Sequence, residues 1–483
     1  MPQLLLVLFA LALPALDYLF KDKRVLAFAT LAPLVGYALA LVSWTVGGYW
    51  EPPTDGVSPH LIEIDMFSGL FALAFVSVGI IVVLSSPEFI RGERNQGEYY
   101  ALILLAVTGM TVVAMSTDLI ILFVGLEIAG IASFALSGFS KGEKRSAEAA
   151  TKYFIVGGFS SALTLFAISL FYGVAGTTEI AALGPEMSAM LSAVDGTRSV
   201  AVMATVMLIA GLGFKIAAVP FHMWAPDVYE GAPTPISGLL AAASKKMGVA
   251  ALFKIFLIGI IATKSDWDVA LGAMAILTMT VGNVIAVVQT NIKRMLAYSS
   301  IAQAGYILIV LPIGTDYAVA GGLFHVVTHA FMKSGAFMVV AALVVRGVGE
   351  SIDDYRGLAK RSPLLALAMT LFLLSLAGIP PLAGFASKFV LFSSAVDAAL
   401  VPGQSWLIWL AVAGVLNSAL SLYYYARVIK RMYMEKGSDD KVSVPRMAGT
   451  AILFASVMTV LLGVYFDAVF DLCQQAAAAL FGT

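Results

Sequence analysis

Apolar residues along this chain fall in runs of roughly 17–25, the length that crosses a bilayer core as an α-helix. Charged or Gly/Pro-rich breaks separate about fourteen such runs, centred near Phe9, Val35, Ser77, Val107, Ala129, Leu163, Leu208, Ala250, Leu277, Leu308, Phe331, Phe385, Gly414 and Val460. The pattern predicts an all-α polytopic membrane protein with about 14 transmembrane helices. No connection exceeds about 25 residues, too short to bury a core of its own. The first run, Gln3 to Phe20, has no basic residue ahead of it and no small-residue cleavage site, so it is expected to be a retained helix.

Lysine and arginine test the count of runs independently. With the amino terminus outside, the odd-to-even connections carry twenty of them, from Lys21 to Arg446, and the other connections carry only Arg198 and Lys264. That asymmetry follows the positive-inside rule and would collapse if one run were missed midway. It predicts that both termini face outside and that 47–65 and 176–197 are external loops.

Composition fits the same solvent. Sixty per cent of residues are apolar and 12% charged, with mean hydropathy +0.93, against about a quarter charged in soluble domains. A net charge of −1 argues against nucleic acid and a polybasic surface role. One cysteine, Cys473, excludes an internal disulfide, an iron–sulfur cluster or a CxxC redox pair.

Seven basic residues remain inside or at the edge of apolar runs: Lys152, Lys215, Lys245, Lys246, Lys254, Lys333 and Lys388. A lysine at mid-membrane costs about 2.5–3.5 kcal/mol on insertion scales, so several need a hydrated interior and partners. Glu127, the lone acid in the middle of a run, is the obvious partner. His222, His325 and His329 add titratable groups. Other readings stay open: Lys152, Lys246 and Lys254 are placed to snorkel to the head groups, and Glu127 to make a structural helix–helix hydrogen bond. His222 is placed to cap broken backbone, and the His325/His329 pair to pack or to ligate a metal, although no further His or Cys stands at matching depth.

Lys215 and Lys388, 173 positions apart, each sit beside a proline break, at Pro220 and at Pro380-Pro381. Proline frees carbonyls one turn back, and free backbone at membrane depth is tolerated only where protein or water satisfies it. Paired breaks in two halves of a chain point to an ion site within the bilayer. An acid and an ammonium whose separation changes make a proton switch, and Glu127 with Lys215 is the candidate.

Gly213 through Lys215, then Trp-Ala-Pro-Asp-Val-Tyr-Glu-Gly-Ala-Pro-Thr-Pro (224–235), on to Lys245, and Gly-Ile-Pro-Pro-Leu-Ala-Gly-Phe-Ala-Ser-Lys-Phe (378–389) carry a family resemblance. They resemble the antiporter-like subunits of respiratory complex I, most of all the N-type subunit and its archaeal reduced-deazaflavin dehydrogenase counterpart. The segment 325–335 is more similar to M- and L-type subunits and to multi-subunit sodium/proton antiporters.

The resemblance implies two inverted five-helix repeats, each with a broken helix and a half-channel. It divides the chain into 1–95 (three helices), 96–265 (first repeat, helices 4–8), 266–435 (second repeat, helices 9–13) and 436–483 (helix 14). It implies site residues Glu127, Lys215, Lys245 in preference to Lys246, and Lys388 as the exit; the 173-residue offset sets Lys152 opposite His325. The relay reading adds His325, His329 and Lys333. The function implied is proton translocation within a quinone oxidoreductase acting as a translocase, coupled to electron transfer to quinone or methanophenazine elsewhere; a cation/proton antiporter subunit is the alternative. No cofactor is expected in this chain. Flavin and iron–sulfur clusters are expected in a peripheral redox arm, with A-, H-, J-, K-, L- and M-type membrane subunits as neighbours in the cytoplasmic (inner) membrane.

Overall fold

The computed structural model describes residues 2–47, 61–193 and 196–482. Helices α1 (Pro2–Leu19), α2 (Arg24–Gly47), α3 (Met66–Phe89), α4 (Gln96–Met115), α5 (Leu119–Ser137) and α6 (Lys144–Ala175) lead to a short α7 (Ile180–Ala193). The next run is interrupted: α8 (Thr197–Ile216), a turn, α9 (Trp224–Gly231) and α10 (Thr234–Leu239), a π-helical turn at Leu240–Ser244, then α11 (Lys245–Lys254). After α12 (Lys264–Val288), α13 (Ile292–Leu308), α14 (Val310–Ile313) and α15 (Asp316–Val345) comes α16 (Leu358–Arg361) and a second interrupted pair, α17 (Pro363–Ala377) and α18 (Ala383–Ala399). The chain ends in α19 (Ile408–Met434), α20 (Arg446–Val464) and α21 (Phe466–Phe481). Each centre expected from hydropathy falls in a helical segment.

Among the described residues eleven helices are long and apolar enough to cross a membrane, and Gln3–Leu19 and Pro363–Ala377 are shorter apolar helices. The difference from fourteen has a physical source. The run near Ala250 is assembled from α10, α11 and π-helical turns, and the run near Phe385 is split at its prolines. The stretch 176–197, expected as loop, contains α7, while 194–195 and most of the other expected external loop, 48–60, lie outside the described residues.

The ends of these helices are written in the sequence. Asp65 and Ser68 form a reciprocal capping box at α3, and the Asp118 carboxylate accepts from the N–H groups of Ile120 and Ile121 at α5. At the corresponding place 173 residues on, the Asn291 side chain accepts from Lys293 and Arg294 N–H at α13. The same offset relates two tight helix crossings. A Cβ on Gly109 would lie 2.5 Å from Ala129 N and 2.7 Å from Gly125 O; a Cβ on Gly282 would lie 2.7 Å from Ala302 N and 3.0 Å from Tyr298 O. Glycine is required at both crossings because the backbones of α4 and α5, and of α12 and α13, touch there.

α13 and α15 run through the middle, buried on nearly every side, whereas α2, α6, α19 and α20 present apolar side chains such as Leu39, Phe159, Leu416 and Leu453 to the surroundings. Lys21, Lys23, Arg24, Arg91, Arg346 and Arg446 gather around one space at a basic end of the bundle, and Arg356 and Arg431 both pair with Glu435. The hydrogen bond from Arg431 and its charge hold the Glu435 carboxyl below the usual carboxylate range. At the opposite end Arg198 pairs with Asp266 at 2.6 Å, and Lys264 donates to Ile313 O.

Candidate functional site

At the first break Lys215 sits in the last turn of α8, and the chain turns through Ala217 at φ +54°, the one positive φ outside glycine among the described residues. The carbonyls released there are re-used: Ala218 N–H donates to Gly213 O at 2.8 Å and the Trp224 indole N–H to Phe214 O at 3.1 Å. Trp224 is held by stacking on Tyr153, ring centroids 4.5 Å apart. The buried Lys215 ammonium lies 3.7 Å from a Glu127 oxygen, which also accepts from the Ser161 hydroxyl at 2.5 Å. Two glycines leave room for this lysine: a Cβ at Gly130 would be 3.1 Å from its Nζ, and one at Gly248 3.2 Å from its Cβ. The structural hydrogen-bond reading of Glu127 and the ion-pair reading therefore both apply, through different neighbours.

The second break has the reverse order. α17 ends at Ala377, Gly378 takes φ +89°, and Lys388 on α18 reaches back to the end of α17. Its ammonium donates to Leu376 O at 2.8 Å, Ala377 O at 3.3 Å and Ser418 Oγ at 3.0 Å, and stands 4.8 Å from the centre of the Tyr306 ring. A cation at the carbonyl end of a helix is favoured by the helix dipole, and it shares these carbonyls with the Gln303 amide, which donates to Leu376 O, and the Ser418 hydroxyl, which donates to Ala377 O. Lys388, Gln303 and Ser418 together supply what Ala218 and Trp224 supply at the first break.

Between the breaks lies a series of buried polar groups, a polar axis. Close approach makes it possible: a Cβ on Gly238 would lie 2.5 Å from Met338 Cε and 3.1 Å from Phe337 Cβ, so the α10–α11 segment presses directly on α15. Lys245 donates to Ser300 Oγ at 2.8 Å. Lys333 donates to the adjacent Ser299 Oγ at 2.6 Å, and that hydroxyl is 2.5 Å from the Tyr425 hydroxyl. Lys246 donates to Ala241 O at 2.8 Å and lies 2.5 Å from His329 Nδ1. The His329 and His325 rings are 5.8 Å apart, and His325 Nδ1 is 3.0 Å from Ser387 Oγ, one residue from Lys388. All seven residues expected at the site line this axis or its two ends.

Two of the three lysines placed to snorkel are buried instead, and the third, Lys152, does reach the surface. Lys246 does not snorkel: it is buried, and because α11 is enclosed on every side, adjacent residues 245 and 246 both find protein partners. Lys254 does not snorkel either. It donates to Ser116 O at 2.9 Å and lies 5.8 Å from the centre of the Phe67 ring, so it satisfies the carbonyl end of α4, away from the axis. Lys152 reaches the surface, where it pairs with Glu148 at 2.8 Å and Asp227 at 2.7 Å in a cluster that continues through Arg294 to Glu230. His222 is buried with Nδ1 unpartnered, as are Nε2 of His325 and of His329. Among the described residues no group of three or more His, Cys, Asp or Glu is placed to share a metal ion.

The hydroxyls of Ser299, Ser300, Ser387 and Ser418 complete the axis and were not anticipated. Their signal was present in Tyr-Ser-Ser (298–300), polar residues set midway along an otherwise enclosed span.

The two left-handed positions give a paired prediction. Ala217→Gly relaxes a backbone that costs alanine roughly 1–2 kcal/mol, and is expected to keep or raise the melting temperature of the purified protein. Gly378→Ala adds that cost and sets a Cβ 3.3 Å from Lys388 Cδ, and is expected to lower it. The reverse order in a thermal melt would contradict the geometry.

Over residues 116–421 the chain matches the family described as NADH:quinone oxidoreductase/Mrp antiporter, TM. It is 43% identical over 475 residues to F(420)H(2) dehydrogenase subunit N of Methanosarcina mazei, covering 95% of this chain and 94% of that one. It is 40% identical over 483 residues to NADH-quinone oxidoreductase subunit N of Trichlorobacter lovleyi, covering 99% and 96%. Among solved structures, a chain of respiratory complex I from Thermus thermophilus with bound aureothin matches with TM-score 0.79 at 29% identity, over 98% of this chain and 99% of that one.

Proposed function

The chain belongs to the NADH:quinone oxidoreductase/Mrp antiporter transmembrane family, and from that premise we propose that it is the proton-translocating membrane subunit of a complex I-like dehydrogenase and that its buried polar axis is the conduit. The observation that carries the reading is the run of ionisable and hydroxyl groups from Glu127 to Lys388, anchored at two helix breaks. A set of buried ammonium and imidazole groups is costly to house, and a scaffold would have no use for it.

In this reading water from the basic end of the bundle reaches Lys245, near the Lys215–Glu127 pair. Protons then pass along the axis through Lys246 and His329, with Lys333 and Ser299 alongside, to His325, Ser387 and Lys388. From Lys388 they leave to the opposite side. Glu127 and Lys215 gate the traffic, because weakening their attraction changes which of them holds the proton. The recurrence of caps and glycine crossings at a 173-residue offset supports two five-helix repeats, 96–265 and 266–435, flanked by 1–95 and 436–483. Fourteen spans follow when α8 counts as one, α10 with α11 as one, and α17 with α18 as one. The Lys and Arg asymmetry supports a basic end facing the cytoplasm and both termini facing out.

The chain acts in an oxidoreductase complex. Electron transfer to quinone or methanophenazine is assigned to partner subunits carrying flavin and iron–sulfur clusters, because a single buried cysteine offers no cluster ligands here. The test is gentle detergent purification from native membranes, followed by reconstitution into proteoliposomes. Copurification with flavin and iron–sulfur proteins, and redox-driven acidification of the lumen, is the expected outcome. Isolation with membrane subunits alone, exchanging cations for protons without a redox reaction, would instead establish the antiporter reading.

A further inference from the structure

Away from the axis, a cavity of about 780 Å³ opens at the basic end between α2 and α20, within the roughly 300–1,000 Å³ range of small-ligand pockets. α2 and α20 both pack on α3, and α15 closes the floor behind them. The floor is apolar, built from Leu84, Ala341, Ala342 and Val345, with the exposed Phe28 on one wall. The rim is cationic.

Lys21, Arg24, Arg91 and Arg446 line that rim, and among the described residues none of the four makes an ion pair. The acids nearby are engaged. Glu88 pairs with Arg346 at 3.4 Å, and the Asp22 carboxylate accepts from Arg24 N–H at 3.0 Å. α20 also starts here behind Pro445 with no side chain capping it, so its first N–H groups add positive potential to the same space.

We propose that this cavity holds the anionic headgroup of a membrane phospholipid, its phosphate between Arg24 and Arg446 and its acyl chains leaving along the apolar faces of α2 and α20. Basic pockets between spans at this end of a membrane protein suit anionic headgroups. The apolar floor selects a lipid over a free phosphate, because inorganic phosphate would use the rim and leave the floor unfilled. Val35 and Leu39 on α2 and Leu453 and Val457 on α20, all exposed, continue the apolar surface toward mid-membrane. The site stands apart from the proton axis and does not depend on that assignment.

The test is native mass spectrometry of the gently solubilised complex, delipidated and then titrated with phosphatidylglycerol, phosphatidylcholine or inorganic phosphate. Phosphatidylglycerol is expected to bind this subunit at least roughly tenfold more tightly than phosphatidylcholine, and millimolar phosphate is expected not to displace it. Arg24→Glu combined with Arg446→Glu should weaken that binding roughly tenfold or more, whereas Arg94→Glu, at an exposed arginine outside the cavity, should not. If the double variant does not accumulate, Lys21→Gln with Arg91→Gln carries the same expectation. Equal binding of both lipids, displacement by phosphate alone, or unchanged binding in the rim variants would overturn the proposal.

Discussion

Alanine at Lys215 is expected to cut redox-coupled proton transfer roughly a hundredfold or more, the lower end of what a positioned proton-transfer group contributes, while the complex still assembles. The side chain ends 3.7 Å from Glu127 and, among the described residues, pairs with no other carboxylate. Removing it leaves Glu127 still bonded to the Ser161 hydroxyl, the contact that is expected to keep this helix pair in place. What is lost is the change in attraction that moves a proton. Glu127→Gln should produce the same loss, because an amide keeps the Ser161 contact and cannot carry the proton. A subunit that pumps normally in either variant would be a scaffold at this position.

The second large effect is expected at Lys246, a residue the sequence made look peripheral. Lys246→Ala removes the partner of His329 Nδ1, and since His329 Nε2 is already unpartnered in the core, the ring is left with no hydrogen bond at all. Stranding such a buried polar group costs roughly 1–3 kcal/mol, so the variant should be both less stable and at least roughly tenfold slower in proton transfer. Lys254→Ala separates the two consequences. Lys254 is equally buried but bonds only to Ser116 O in the hydrogen-bond network, so its loss should lower stability and leave the protons transferred per electron unchanged. Paired assays of melting temperature and lumen acidification on Lys246→Ala and Lys254→Ala check this; equal pumping in both would remove Lys246 from the path.

Much of this was legible before any coordinates. Every one of the fourteen hydropathy centres fell in a helical segment because burial in lipid demands long apolar stretches whatever they pack against, and the proline breaks marked both ends of the axis. Lys215, Glu127 and Lys388 stood out because nothing in their own spans explains a charge. The failures share one cause. Hydropathy cannot distinguish a helix facing lipid from one enclosed by protein, so Lys246 and Lys254 were allowed a route to the head groups that the packing of α11 closes. For the same reason the serines at 299, 300, 387 and 418 looked like ordinary small residues. Their role depends on which helices Gly238, Gly282 and Gly109 bring together, and contacts between distant segments are not written in local sequence. α7 was missed because its apolar residues are diluted by Gly184, Pro185 and Glu186, too short a pattern to read as a span.

If the polar axis is one path, its two ends act in series. The most direct measurement is the number of protons delivered to the lumen per electron transferred, in proteoliposomes containing wild type, Lys215→Ala, Lys388→Ala and the double variant. Each single variant should fall to a similar low ratio, and the double variant should fall no further, because residues acting as a unit are not additive. Wild-type ratios in both single variants, or losses that simply multiply in the double, would contradict a single conduit running from Glu127 to Lys388.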